Sequence, residues 1–127
     1  MGDRFQNIGV IGAGWVGIVT GTCLANLGHD VLVRDVDSSR IKDLQEGNVP
    51  IFEPHLEGCV KSAKERLRYT LELKEIVREP RVLIICVGTP SMKSGDTDLA
   101  AVHQVVEELA EVGLPRGTVL VLSLIHI

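Results

Sequence analysis

The stretch Ile8–Gly21, IGVIGAGWVGIVTG, decides how the rest of the chain is read. An apolar run ending at Ile11 leads into Gly12-Ala13-Gly14-Trp15-Val16-Gly17. Such a G-x-G-x-x-G turn is either a cradle for nucleotide phosphates or only a tight turn between a buried strand and a helix. Glycine-rich turns are common, so the surroundings must choose.

Immediately around the turn, Asn7 to Ile11 reads as a short buried strand. From Gly14 to Leu27 the spacing is helical, with Val16, Val19, Cys23 and Leu27 on one expected packing face, and Gly28 stands where helices stop. A second strand is expected over Val31–Asp35. Asp37-Ser38-Ser39 offers side-chain oxygens to cap a helix carrying Ile41 and Leu44, which Gly47 closes. Pro50 and Pro54 stiffen the loop NVPIFEP, and Pro54 suits the first turn of a helix. Leu56, Cys59, Val60, Ala63 and Leu67 form an amphipathic stripe. RLRYT reads as an outer strand, followed by a brief helix over Leu71–Val77 that Pro80 closes. RVLIICV, Arg81–Val87, is apolar throughout and rich in β-branched residues, as in a strand covered on both faces. After the polar loop Ser91–Thr97, Asp98 is an expected N-cap. The helix behind it carries Leu99, Val102, Val105, Val106 and Leu109 and ends at Gly113. A last strand starts near Thr118.

Strands alternating with helices at these lengths predict an α/β fold: a Rossmann-type, doubly wound parallel sheet with helices on both faces. In that frame the glycines follow a strand and open a helix. Gly12 permits the sharp turn, Gly14 leaves room for a pyrophosphate, and Gly17 lets the helix pack close to the sheet. The helix start then turns its free N–H groups and positive dipole end to the phosphates. Asp35 stands at the end of the second strand, about twenty residues on, where an acid accepts the ribose hydroxyls of an adenosine. Its charge would repel a 2′-phosphate and favours NAD over NADP. Arg34 and Arg40 keep the NADP alternative open, since a neighbouring arginine accepts such a phosphate. Ligands of open α/β sheets collect beyond the carboxyl ends of the strands, which here places Gly12–Gly14, Asp35, Gly88–Pro90 and Ser123 together. Strands one and four should be neighbours, so Thr89 should lie beside the glycine turn.

Composition narrows the function classes. The chain has 127 residues, 45 % of them hydrophobic and few aromatic, enough for one domain with a core. The net charge of −4, without a basic cluster, argues against a nucleic-acid partner. Cys23, Cys59 and Cys86 are far apart and odd in number. They fit no zinc spacing, so no metal site is expected, and they read as reduced thiols buried in a cytoplasmic protein's core. The start, MGDRFQN, is polar and unlike a signal peptide. TVLVLSLIHI, the longest apolar run, is too short to span a bilayer, so no membrane partner is expected.

Several stretches resemble one family, the nucleotide-diphosphate-sugar dehydrogenases typified by UDP-glucose 6-dehydrogenase and GDP-mannose dehydrogenase. GAGWVG is similar to their G-x-G-[YF]-V-G, with Trp15 in the aromatic place. VPIFEPHL resembles P-I-x-E-P-G-L, with His55 replacing the usual glycine. DVDSSRI, RLRYT and VGTPSMKSGDTDLAAV resemble further segments in the same order. The resemblance implies cofactor contacts from Gly12, Ala13, Gly14, Trp15, Val16 and Gly17 at the pyrophosphate and from Asp35 at the ribose. It implies Arg40 near the adenine side, and Val87, Gly88 and Thr89 flanking the dinucleotide from the fourth strand. Trp15 is also readable as a packing aromatic, and Glu53 either as support for the site or as a capping acid before Pro54.

The resemblance further implies NAD-dependent, two-step oxidation of a sugar C6 alcohol to a carboxylate on a UDP- or GDP-sugar, by a homodimer when full length. The end departs from it: where the family carries K-S-T-V-P, this chain has Leu122-Ser123-Leu124-Ile125-His126-Ile127. Residues 1–127 are therefore expected to be one incomplete domain, truncated before the central helix, the substrate domain and the cysteine nucleophile, with no catalytic residue of its own. The alternatives are another Rossmann dehydrogenase, of 3-hydroxyacyl-CoA or 6-phosphogluconate type, or a lone non-catalytic NAD-binding module.

Overall fold

A computed structural model describes residues 5–123. The expectations for Leu124 and for Ile125-His126-Ile127 lie outside them. The element order is β1 (Asn7–Ile11), α1 (Trp15–Asn26), β2 (Asp30–Arg34), α2 (Ser38–Gln45), α3 (Leu56–Ser62), β3 (Leu67–Thr70), α4 (Leu73–Arg78), β4 (Val82–Ile85), α5 (Ala100–Val112) and β5 (Val119–Leu122). All five strands are parallel, in the order β3-β2-β1-β4-β5. The expected doubly wound architecture is present, with β1 and β4 adjacent and the strand order reversing at β1.

Two apolar layers sandwich the sheet. One joins Val10, Val31 and Val33 to Ile18 and Ala25 of α1, Ile41 and Leu44 of α2 and Leu56 of α3. The other joins Ile11, Leu32, Leu83 and Ile85 to Ile76 and Val77 of α4 and Val105 and Leu109 of α5. Alternate residues of one strand thus serve opposite layers, as the period-2 geometry of a strand requires. That is why β1 and β4 read as unbroken apolar runs.

The packing face of α1 differs from the expected one. Gly17, Ile18, Gly21, Thr22 and Ala25 are buried, while Cys23 and Leu27 are exposed. A Cβ on Gly21 would stand 3.2 Å from Val33 Cγ2. At Gly17 and Gly21 the helix backbone lies so near the strands that a larger side chain has no room there. The bulkier Val16 and Val19 are left at the margin of this contact, partly buried.

The stripe assigned to α3 also changes. Leu56 and Ala63 are buried, but Cys59 is exposed, and Leu67 belongs to β3 because the helix ends at Ser62. Cys86 alone of the three thiols is buried as expected. Along α5, Val102, Val105 and Leu109 face the core, whereas Leu99 and Val106 are exposed.

Capping is largely local. The Asp37 side chain accepts from Arg40 N at 3.1 Å, as its position predicts. Asp98 caps from one residue farther out than expected, accepting from Ala100 N at 2.9 Å while Leu99 occupies the N-cap position. Pro54 precedes α3 rather than lying in its first turn, and His55 is the N-cap residue with φ 68°. That left-handed conformation is what a glycine adopts freely, which explains why the resembled pattern has glycine at this position.

Tyr69, on β3, buries its hydroxyl without a hydrogen-bond partner among the described residues, and burial pushes its pKa up to about 12. The folded protein therefore keeps this proton after the unfolded chain, whose tyrosine titrates near 10, has begun to lose it. The associated stability is complete below about pH 10 and falls as the pH rises toward about 12. Tyr69→Phe removes both the orphan hydroxyl and its titration. Urea unfolding midpoints taken across that alkaline range should fall less steeply for Tyr69→Phe than for the parent chain, with no loss of stability at neutral pH.

Candidate cofactor site

The site begins with a turn held on two sides. Gly12 N donates to Arg34 O of β2 at 2.8 Å, and Cys86 N donates to Ile11 O at 2.7 Å from the β4 side. Gly12 has φ 112°, and a Cβ there would stand 2.7 Å from the Cys86 carbonyl oxygen. Both conformation and space demand glycine. At Gly17 a Cβ would collide with the Gly12 carbonyl oxygen. Around Gly14 nothing lies within 4 Å of the Cβ position. The three glycines thus do different work: two let the chain close on itself, and the third leaves open space.

That open space faces the start of α1. Gly14 is its N-cap residue, without a side-chain cap, and the first turn holds no acidic residue. Orphan N–H groups and the positive end of the helix dipole are therefore available to an anion. The residues present fit a dinucleotide's pyrophosphate. Trp15 opens the helix with 55 % of its surface exposed, so it is not a core-packing aromatic.

Asp35 ties this turn to the end of β2. Its Oδ2 accepts from Ala13 N at 2.7 Å, and its Oδ1 accepts from Asp37 N at 2.9 Å. Arg40 Nη1 lies 3.7 Å from Oδ2. The acid is thereby held beside the glycine turn, with lone pairs to spare, because each carboxylate oxygen can accept more than one hydrogen bond. Arg34 is turned elsewhere. Its side chain is 11 % exposed, Nη1 pairs with Glu108 Oε2 at 3.3 Å, and Nε donates to Leu71 O at 3.3 Å.

Ile11, Gly12, Arg34, Asp35, Val36, Val87, Ala101, Gln104, Val105 and Glu108 line a half-open hollow of about 100 Å³. Larger hollows lie between α2, α3 and β3 and along residues 47–57, lined by no residue of the glycine turn. The β1–β4 pairing brings Val87 to the cavity wall. Beyond it, Gly88 is exposed and Thr89 is buried. Cys86, next to Val87, has its thiol pushed up by burial, against a smaller lowering by a hydrogen bond with the Ser123 side chain. Glu53 does not cap with its side chain; its carbonyl oxygen accepts from Leu56 N.

The α5 wall (Ala101, Gln104, Val105 and Glu108) escapes sequence reasoning because its partners are distant along the chain. The close approach of α1 had a visible signal, the four-residue spacing of Gly17, Gly21 and Ala25. Among the described residues no cluster of three or more His, Cys, Asp or Glu could hold a metal ion, and no helix is long and apolar enough to cross a membrane.

The model of the UDP-glucose/GDP-mannose dehydrogenase family, NAD binding domain, matches residues 6–126. The chain belongs to this family. The UDP-glucose 6-dehydrogenase of Rhizobium meliloti (strain 1021) is 45 % identical over 108 residues, covering 83 % of this chain and 25 % of that protein. The GDP-mannose dehydrogenase of Pseudomonas aeruginosa, solved as a ternary complex, matches with a TM-score of 0.77 at 40 % identity, over 80 % of this chain and 24 % of that one. A UDP-glucose dehydrogenase from the archaeon Pyrobaculum islandicum matches with a TM-score of 0.81 at 32 % identity, over 87 % and 26 %. The chain spans about a quarter of the length of these relatives. The fold is thus the NAD-binding domain of an oxidoreductase family, and its cofactor is NAD.

The Gly17–Gly12 contact can be tested without ligand. Alanine is the better helix former by about 1 kcal/mol, yet Gly17→Ala is expected to lower stability by about 1–3 kcal/mol, because the methyl group has no room. Urea unfolding measures it. A stabilised variant would show that the turn does not need this contact.

Proposed function

We propose that the chain is the cofactor-binding part of a dehydrogenase that oxidises the C6 alcohol of a UDP- or GDP-sugar to a carboxylate. NAD, when bound, supplies the hydride acceptor; the protein holds and orients it. In this reading the backbone of Gly12, Ala13, Gly14, Trp15, Val16 and Gly17 binds the pyrophosphate. Asp35 accepts the adenosine ribose hydroxyls, and Arg40 lies on the adenine side. Val87, Gly88 and Thr89 flank the dinucleotide from the end of β4. Residues 1–127 form one domain, and the sugar is bound by other parts of the protein. The observation that carries the reading is the Ala13 N–Asp35 Oδ2 hydrogen bond, which joins phosphate turn and ribose acid in one unit.

The same unit supports a preference for NAD over NADP. A 2′-phosphate would stand beside the Asp35 carboxylate. Like charges about 4 Å apart repel by roughly 4 kcal/mol at an effective dielectric near 20. Arg34 does not offset this, since its guanidinium is engaged by Glu108 and Leu71 O; Arg40, 3.7 Å from Asp35 Oδ2, is the cation placed to offset part of it. Calorimetric titration should give NAD binding at least about tenfold tighter than NADP, a difference of about 1.4 kcal/mol. Gly14→Val should abolish NAD binding while leaving circular dichroism unchanged, because its side chain fills only the open space. Equal affinity for the two cofactors would remove Asp35 from the site, and normal binding by Gly14→Val would reduce the glycine stretch to a turn.

Catalysis of this type needs a reactive thiolate at the sugar carbon. Cys86 is buried with its pKa raised. Cys23 lies two turns or more along α1 from the phosphate turn, about 12 Å at 1.5 Å per residue. Cys59 is farther still, since its carbonyl oxygen accepts from Asn26 Nδ2 at the opposite end of α1. The chain alone is therefore expected to reduce no NAD when mixed with UDP- and GDP-sugars and followed by NADH absorbance. Sustained turnover abolished by iodoacetamide would assign the nucleophile to one of these three cysteines.

A further inference from the structure

Arg34 and Asp35 are neighbours in sequence and line the same half-open hollow, yet they form no ion pair with each other. Asp35 is approached instead by Arg40, from α2. Arg34 is drawn the other way, to α5: its Nη1 lies 3.3 Å from Glu108 Oε2, and its Nε donates to Leu71 O at 3.3 Å. The Arg34 side chain is 11 % exposed, so two anchors hold a nearly buried guanidinium in one place.

That guanidinium does not lose its charge, and a nearly buried charge stripped of its partner is costly, so without Glu108 it would turn to another anion. The choice is narrow. Of the residues that line the hollow, Asp35 and Glu108 are the acidic ones; the others, Arg34 apart, are apolar or uncharged. With the Glu108 carboxylate removed, Asp35 is the carboxylate left in that lining.

We propose that Glu108 is a specificity-determining, positioning residue: by pairing with Arg34 it keeps this guanidinium off Asp35, and so leaves the Asp35 charge to choose NAD over NADP. The inference rests on the cofactor preference proposed above and extends its cause to a helix residue that need not touch the dinucleotide. Loss of Glu108 acts twice in one direction. Arg34 competes with the ribose hydroxyls for Asp35, which weakens NAD. It also brings a cation to the place of a 2′-phosphate, which strengthens NADP. Selectivity is a difference of two affinities, so both changes lower it.

Calorimetric titration of NAD and NADP into the parent chain, Glu108→Ala and the double variant Arg34→Met/Glu108→Ala tests the role, with circular dichroism as the check of folding. The parent should bind NAD at least about tenfold more tightly than NADP. In Glu108→Ala that ratio should fall several-fold, toward one. In the double variant no arginine remains at position 34 to be released, and the ratio should return to the parent's; a merely structural role for Glu108 would give no such rescue. Glu108→Gln, which keeps the shape of the side chain and removes its charge, reads the same fall where Glu108→Ala does not fold. An undiminished ratio in the folded single variants, or a lowered ratio that persists in the double variant, would overturn the role of Glu108 and leave the cofactor site standing. Equal affinity of the parent chain for both dinucleotides would overturn the preference itself, and this inference with it.

Discussion

Much of this structure depends on the closeness of three backbones at Gly12. The residue is held by the Arg34 carbonyl of β2 on one side and lies against Cys86, just beyond β4, on the other. Its φ of 112° turns the chain out of β1 and into α1 within three residues. No side chain fits there. Because the turn sits where the strand order reverses, α1 goes to one face of the sheet and the connection to β4 to the other, leaving a crevice above the carboxyl ends. The glycine turn, the acid after β2 and the wall from beyond β4 converge because they stand at the ends of adjacent strands.

Close packing of α1 is the second requirement of the same turn. Gly17 must pass beneath the Gly12 carbonyl, and Gly21 must lie against Val33 and Val31. The small-residue face brings the helix axis toward the sheet and aims its N-terminus at the crevice. Ile18 reaches the core beside this face, Val16 and Val19 are left at the margin, and Cys23 and Leu27 are exposed. The helix thus gives up apolar burial along its contact line for position. Its electrostatic consequence follows from that position: the N–H groups at the start of α1 have no side-chain cap and no acid in the first turn, which leaves them open to an anion.

On the other face, α4 and α5 close the sheet with larger apolar residues, and a partly buried ion pair crosses from strand to helix. Arg34 ends β2 and Glu108 lies on α5, so the pair joins two elements that make the rim of the cavity. One cation beside Asp35 is turned inward to its own partner, while Arg40 stays at 3.7 Å from the acid and 40 % exposed. Farther out the covering stops: the four apolar residues of β5 are 40–55 % exposed.

The sequence by itself determined the order and type of the elements, because each rests on interactions within a few residues. Apolar runs form strands, glycines at 28, 47 and 113 end helices, and Asp37 caps the helix that follows it. The glycine turn and Asp35 were legible for the same reason, since a sharp turn and a strand-end acid carry local chemical requirements. Tertiary structure alone decided which helix face is buried and which distant groups share the cavity. Periodicity ranks residues by hydrophobicity, and it chose Val16, Val19 and Cys23 on α1; the distance between helix and sheet then selected Gly17, Gly21 and Ala25 by size. Arg34 and Glu108 are 74 residues apart. No pattern along the chain pairs them, and only the placing of α5 over the ends of β1 and β2 brings that cation, its carboxylate and Gln104 to one wall.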